Sequence, residues 1–343
     1  MKRVVIHKPG GYERLTIETH PDPTAGDNDV VVKTEAAGVN YADVCVRWGV
    51  YESAKKLVGW PITPGFEYSG VVVDIGKGVT HVKKGDSVFG VSFFNSYATH
   101  VKVPKNLIWQ RPAELNPQQA AGFPAVYITA YHALLQNIRI YPGMTILVHS
   151  AAGGVGSALV QIAKIQGLRV VGVVGSSHKV EHVRSLGADV VIDKSTRDLW
   201  AEAEKAAPQG YDVILDANGP ETLSASYNHL RPTGKLVVYG FHTLLPKQGG
   251  RIKYLKTAYE FLRVPRFHPL TMTNVNKSVV AFNLSFLFER DDLLGEALAD
   301  LTKWMKQGKL SPPKITSYTM EDVAEAHKAI ESGKTTGKLV LTF

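Results

Sequence analysis

Residues 145–156 read TILVHSAAGGVG, an apolar run that stops at His149 and Ser150 and passes into alanines and glycines. Further apolar runs follow in order: RVVGVV, DVVID, DVILDA and KLVVYG. Between them lie VGSALVQIAKIQG, HKVEHVRSLG, a charged stretch, and PETLSASYNHL, which read as helices. Continuously apolar strands suit a parallel sheet covered on both faces. Strands that alternate with helices predict a doubly wound α/β sheet. After Gly240 the alternation breaks, and SVVAFNLSF resumes it as a sixth strand.

A glycine run between the first strand and first helix of such a sheet is where a dinucleotide fingerprint falls. Ala151, Gly153 and Gly156 take its three glycine slots, with alanine in the first. The second slot lets the backbone approach a pyrophosphate, and the third lets the helix pack closely on the strand. The helix start adds free N–H groups and partial positive charge. Ala152, Gly153, Gly154, Val155 and Gly156 are therefore the expected phosphate cradle. An NAD site places an acid about 20 residues further on, at the end of the second strand. Here that strand runs into Gly175, Ser176, Ser177, His178 and Lys179. Two hydroxyls and a cation suit the 2′-phosphate of NADP(H), and Lys194, after the third strand, is a second cation for the same phosphate.

The 343 residues are too many for one ordinary core, so two domains are expected. Residues up to about 120 form the other one. KRVVIHK, DVVVKTEAAG, YSGVVVDIG, GDSVFGV and YATHVKVP read as short strands between turns, with YADVCVRWGVY as one helix. PQQAAGFPAVYITAYHALLQ then has helical spacing, and the chain ends with two helices and the strand GKLVLTF. Apolar runs are shorter than the roughly 18 residues of a membrane span, and the N-terminus lacks the apolar core of a secretory signal. A cytoplasmic location is expected. The lone Cys45 excludes an internal disulfide and a multi-cysteine zinc lobe; it is read as a small buried apolar residue, with a reactive thiol as the other reading. Net charge is +8, without an Arg-rich tail or zinc-finger spacing, so no nucleic acid partner is expected.

AAGGVG, GVNYADV with the following GVY, PGFEYSGVV, KKGDSVFG and the closing TTGKLVL together resemble the medium-chain dehydrogenase/reductase superfamily over nearly the whole chain. The resemblance implies a GroES-like catalytic domain at 1–121 and 277–343, a Rossmann NADP-binding domain at 122–276, and an active site in the cleft. Zinc members place Cys and His where this chain has Asn40 and Phe66, neither of which replaces a thiolate or an imidazole on zinc. Glu67 and Asp43 alone are too few, so no metal site is expected. The chain thus resembles the zinc-free quinone oxidoreductase branch and, through VYITAYHAL, YNHLRPTGKLVVYG and VVAFNLSFL, most of all the vesicle amine transport protein group.

The implied reaction is hydride transfer from NADPH to a quinone or an α,β-unsaturated carbonyl. By motif position the cofactor side takes Asn40, Thr129, Asn218, Gly240, Phe241, Phe282, Asn283 and Lys338. For Thr129 a hydroxyl bonded to its own helix backbone is the other reading, and for Lys338 a surface lysine. Tyr51, Phe93, Phe94 and Phe241 are read as lining a pocket for a flat apolar acceptor, or else as ordinary core. Asn40 and Tyr51 are the catalytic candidates, Tyr51 as a proton donor if one is needed. No Ser-His-Asp or Cys-His arrangement is suggested.

An open sixth strand predicts a homodimer joined edge to edge. Residues 246–268, PKQGGRIKYLKTAYEFLRVPRFH, have the composition of a basic amphipathic helix. Three readings stay open for them: a lid or dimer-edge helix, a peripheral contact with an anionic membrane, and nucleic acid. The competing function is a cofactor-binding protein that acts at membranes or on partners through this segment.

Overall fold

The computed structural model describes residues 1–244, 259–262 and 264–343. Residues 145–281 contain a six-stranded, all-parallel sheet. Across the sheet the strands run Val190–Asp193, Arg169–Val174, Thr145–Val148, Tyr211–Asp216, Leu230–Val238, Ser278–Ala281. The doubly wound order 3-2-1-4-5-6 follows, and it reverses between Thr145–Val148 and Tyr211–Asp216. Ligands of open α/β sheets bind beyond the strand ends at that reversal. All six residues of Tyr211–Asp216 are buried, the signature of a strand covered on both faces.

The sixth strand is hydrogen-bonded in parallel to the fifth from Ser278 to Ala281. The parallel sheet therefore runs past residue 277, and the boundary expected there falls one strand short. SVVAFNLSF is also only half strand. After Ala281 the chain turns at Phe282 and Asn283 into a 3₁₀ turn, Leu284–Leu287, because the Asn283 side chain accepts the Ser285 N–H and caps it.

The other sheet has seven strands, six of them in the order Ile315–Thr319, Lys338–Thr342, Asp29–Val39, Glu67–Ile75, Ser87–Val91, Ile108–Gln110, with His100–Pro104 paired to Asp29–Val39. The last strand of the chain thus adds to one of the earliest, Leu339 opposite Val39. Ile315–Thr319, parallel to it, was not expected from the sequence. Between the two sheets runs the expected long helix, broken into pieces. Asn116 accepts the Gln119 N–H and starts Pro117–Ala121. Pro124, which has no N–H to give, restarts the helix as Pro124–Tyr131, buried at every residue. A π-helical turn, His132–Gln136, ends it.

The helix Tyr41–Arg47 is pinned from behind. Arg47, fully buried, donates to Glu331 of the helix Val323–Glu331 and, at 3.3 Å, to the Gly10 carbonyl, and its Nη1 lies 3.1 Å from His327 Nδ1. Tyr12 donates to the same carboxylate. Burial holds the His327 imidazole well below its ordinary pKa, so it stays a neutral acceptor beside the guanidinium.

Two glycines of this fold differ in what they tolerate. A side-chain carbon on Gly156 would fall on the Ser150 carbonyl oxygen and lie 2.7 Å from Ala151 Cα, so helix and loop pack too closely for one. Gly295, inside the helix Asp291–Lys306, has open space on that side. Gly156→Ala should lower thermal stability by several degrees, a cost above about 1 kcal/mol. Gly295→Ala should raise it, by about 0.5–1 kcal/mol. Calorimetric melting of the two variants checks the pair, and equal shifts would contradict the packing difference.

Candidate active-site cleft

The loop after Thr145–Val148 is built to leave donors free. Gly153 N–H bonds Ser150 O at 2.9 Å, Ala151 N–H bonds Val173 O at 3.0 Å, and the first helical bond is Ser157 N–H to Gly153 O at 2.8 Å. The helix Gly154–Ile165 has Gly153 as N-cap and no side chain capping it. The N–H groups of its first turn, Gly154, Val155 and Gly156, therefore keep their donors for a ligand. Ala152 is buried under the loop, and its carbonyl accepts Gly337 N–H at 2.8 Å. This glycine cradle fits a pyrophosphate.

Asn218 stands one step behind it. It is buried, its Oδ1 accepts the Ser150 hydroxyl at 3.0 Å, and its carbonyl accepts Thr243 N–H and Oγ1–H. Its place is to hold the loop rather than to line an open surface. Gly240 lies against Ala217 and gives the chain room to leave the sheet. Below them Asp216, fully buried, accepts Asn218 and Gly219 N–H groups and the hydroxyls of Thr222 and Ser226. His149 Nε2 lies 3.0 Å from Ser226 Oγ. The structure thus brings a serine, a histidine and an aspartate together, contrary to the sequence reading. All three have zero exposure, and the serine proton goes to the carboxylate, so the trio is an anchor for the loop and not a nucleophile.

At the end of Arg169–Val174 the expected cations part company. Ser176 is extended and half-buried at the start of a 3₁₀ turn. Lys179 does not stand open beside it. Its ammonium is buried on the Gly333 carbonyl at 2.6 Å, and desolvation lowers its pKa. Lys194 is exposed beside Gly175 and is the cation presented to solvent there. An acid is present after all, on the next strand. Asp193 accepts Ser177 Oγ–H at 2.5 Å and both the N–H and hydroxyl of Ser195. Those hydrogen bonds, Ser177 first, hold its carboxyl below the usual range and leave it little capacity for a ribose.

The inner end of the cleft centres on a residue to which the sequence reading gave no role. Glu67, fully buried at the start of its strand, accepts Lys338 Nζ–H at 2.6 Å and Asn40 Nδ2–H at 2.9 Å on one oxygen. Its other oxygen accepts Ala125 N–H at 2.8 Å, in the first turn of Pro124–Tyr131. Lys338, only 3% exposed, also donates to Asn40 Oδ1 at 2.5 Å. It is therefore a buried, paired cation and not a surface lysine. The two bonds on Asn40 fix which way its amide faces. The sequence signal was an acid inside the apolar stretch PGFEYSGVV; unpaired acids are rarely buried. Asp43 is the second buried acid. It accepts Asn40 N–H, Gly65 N–H and Tyr97 Oη–H at 2.8, 2.8 and 3.0 Å, and burial pushes its pKa up to about 7.

Thr129 donates its hydroxyl to Ala125 O at 2.6 Å, the helix-backbone alternative, and is 9% exposed. Tyr51 donates to Asn283 Oδ1 at 2.9 Å, which joins two candidates distant in sequence. Burial raises its pKa, so as a proton donor it is a weak acid. Phe282 packs edge-on against His132 at 4.7 Å and stacks with Tyr239. Phe241 is 49% exposed, as a cleft residue would be. Phe94 is not pocket lining. It is fully buried against Phe66, Phe93 and Tyr51, with ring centroids at 5.0, 5.1 and 6.4 Å. Phe93 is half-buried. Cys45 is half-buried, and desolvation pushes its thiol up to about 12.

The donors near Asn40 do not fit zinc. Phe66 offers a hydrocarbon ring, and the Lys338 ammonium already sits on the Glu67 oxygen. Among the described residues no three His, Cys, Asp or Glu side chains group as metal ligands do.

Residues 26–113 match the alcohol dehydrogenase GroES-like domain family, and residues 186–341 match the zinc-binding dehydrogenase family. A synaptic vesicle membrane protein VAT-1 homolog of Danio rerio is 32% identical over 344 residues, 99% of this chain and 70% of that protein. The crystal structure of a human VAT-1 homolog-like protein superposes with a TM-score of 0.84 at 27% identity, covering 100% of this chain and 98% of that one. The quinone oxidoreductase of Escherichia coli complexed with NADPH gives a TM-score of 0.86 at 26% identity, covering 100% of both chains. With its parallel sheet in 3-2-1-4-5-6 order, its GroES-like companion sheet and these relatives, the chain belongs to the medium-chain dehydrogenase/reductase superfamily and, within it, to the VAT-1 group.

Proposed function

We propose that this protein is a zinc-independent, NADPH-dependent oxidoreductase acting on quinones or α,β-unsaturated carbonyls. The carrying observation is the uncapped start of Gly154–Ile165, with the stem of Lys338 laid beside it and its ammonium among Asn40 and Glu67. The complex of the E. coli relative with NADPH supports the same reading. The first-turn N–H groups hold the pyrophosphate, with the Lys338 stem laid beside them. Lys194 and Ser176 face the 2′-phosphate, with Lys179 close behind. Thr129, Phe282 and Asn283 border the nicotinamide end. The nicotinamide supplies the hydride. The chain's own residues bind and orient. Asn40, its amide fixed by Lys338 and Glu67, keeps one N–H for an acceptor's carbonyl oxygen. Tyr51 holds Asn283 in place, and Phe93 with Phe241 offers apolar surface to a flat ring.

A second surface carries its own reading. Phe261, Leu262 and Leu270 are exposed at 69%, 79% and 70%, close in sequence to the open edge strand Ser278–Ala281. Apolar surface of this kind marks a partner or membrane contact, and we assign it to a homodimer. Lys247, Arg251, Lys253, Lys256 and Arg263 of the basic segment lie outside the described residues. Among the described residues no helix is long and apolar enough to cross a membrane.

NADPH should bind at least about tenfold tighter than NADH, a difference of about 1.4 kcal/mol. Lys194→Ala should remove most of that preference while leaving NADH binding in place; fluorescence titration with both nucleotides reads it, and equal curves for the wild type would end the assignment. Metal analysis of active, purified protein should find far less than one zinc per chain, with turnover on a quinone and enone panel unaffected by chelator. Stoichiometric zinc lost together with activity would refute zinc independence. Light scattering should give twice the chain mass at micromolar concentration. A monomer that floats with phosphatidylserine vesicles, but not with neutral ones, would transfer the exposed surface to a membrane.

A further inference from the structure

Lys338 touches both halves of the cleft. Its Cδ lies 3.5 Å from where a side chain on Gly154 would begin, against the first residue of the phosphate helix, and its ammonium reaches away to Asn40 and Glu67. Around that ammonium the fold buries two acids, Glu67 and Asp43. Glu67 has the ammonium as a direct partner. Asp43 has only neutral donors, Asn40 N–H, Gly65 N–H and Tyr97 Oη–H, and feels Lys338 through space.

We propose that binding of the cofactor's pyrophosphate at Gly154–Gly156 is coupled to uptake of a proton from solvent by Asp43, with the Lys338 ammonium as intermediary. This rests on the cofactor site proposed above. A pyrophosphate carries two negative charges and at the helix start lies beside the Lys338 stem, near the ammonium that is turned to Asn40 and Glu67. Each unit of charge brought there offsets the Lys338 part of the field that keeps a proton off Asp43, and in a buried site such fields are weakly screened. The proton comes from the buffer, and the Asp43 carboxylate becomes a carboxylic acid that can donate one hydrogen bond.

The phenols, the thiol and the guanidinium around Asp43 do not compete for this proton, and Glu67 keeps the Lys338 ammonium as its direct partner. The Tyr97 phenol, on the strand side, and the Cys45 thiol, on the same helix, are pushed upward by burial and stay protonated at neutral pH. The Tyr51 phenol is raised in the same way. Arg47 is paired with Glu331. Burial pushes the Asp43 carboxyl up to about 7, against the Asn40 and Gly65 N–H groups and, after them, the Lys338 charge. A carboxyl whose proton affinity rises on binding makes the ligand bind more weakly as pH rises through that range.

Isothermal titration in buffers of different ionisation heat counts the proton. NADH is the diagnostic ligand, because it shares the pyrophosphate but lacks the 2′-phosphate, which itself titrates near pH 6. At pH 7.5 the wild type should take up about half a proton per NADH, and the NADH Kd should rise about threefold from pH 7 to pH 8. In Asp43→Asn the uptake should fall to zero. Saturable NADH binding with buffer-independent heat and a flat pH profile in the wild type overturns the coupling while leaving the cofactor site intact. Uptake that persists in folded Asp43→Asn overturns the assignment to Asp43. Should that variant not fold, the wild-type pH profile and proton count still decide the coupling. Failure of NADH and NADPH to bind at all overturns the cofactor reading.

Discussion

The buried ion pair between Glu67 and Lys338 is the contact on which the cleft depends. Neither group can be buried alone, since an uncompensated charge in the interior costs several kcal/mol. The pair forms only when the first strand run, the last strand and the central helix Pro124–Tyr131 are all in place, because Glu67 also accepts Ala125 N–H. One interaction thus fixes the Asn40 amide, the start of the helix that carries Thr129, and the position of a cation beside the glycine loop. Its worth is more in specificity of arrangement than in net stability, as for other buried charge pairs that also need every remaining hydrogen bond satisfied.

Hydrogen bonds that leave the parallel sheet follow the same logic. Gly337 N–H bonds Ala152 O, and Lys179 reaches Gly333 O. The segment leading into the last strand is therefore tied to the phosphate loop and to the turn after the second strand. The cleft is closed along one side by a main-chain bond, which any sequence compatible with the backbone could make, together with the Lys179 side chain, and along its floor by charged side chains, which only this set makes.

The parallel sheet and its glycine loop could be read from the sequence, because period, strand order and loop spacing are local properties. RVVGVV and DVILDA are buried on both faces and show it in their composition. What could not be read was pairing across distance. Lys338 and Glu67 are separated by most of the chain, and a lysine in GKLVLTF carries no local mark of a buried partner. Lys179 shows the converse. Its position after the second strand was right, yet a carbonyl from a remote turn captured its ammonium. Phe94 failed for a third reason: aromatic residues serve core and pocket alike, and only packing against Phe66 and Tyr51 tells which. The break at Pro124 was legible in principle, since proline cannot continue a helix, but helical spacing across it hid the restart.

The register of Lys338–Thr342 against Ala36–Val39 has a consequence for how the molecule is made. During synthesis the first five strands of the parallel sheet can close from neighbouring segments, each joined by a short crossover. The other sheet must wait, Ala36–Val39 offering an unpaired edge until Leu339–Thr342 emerge, and closing so long a loop is slow. Until then the buried acid Glu67 has no counter-charge, and the site exists only as a half. Assembly of the cleft is in this sense a late act of folding, and a nascent chain with a finished nucleotide-binding sheet is still unable to present a finished site.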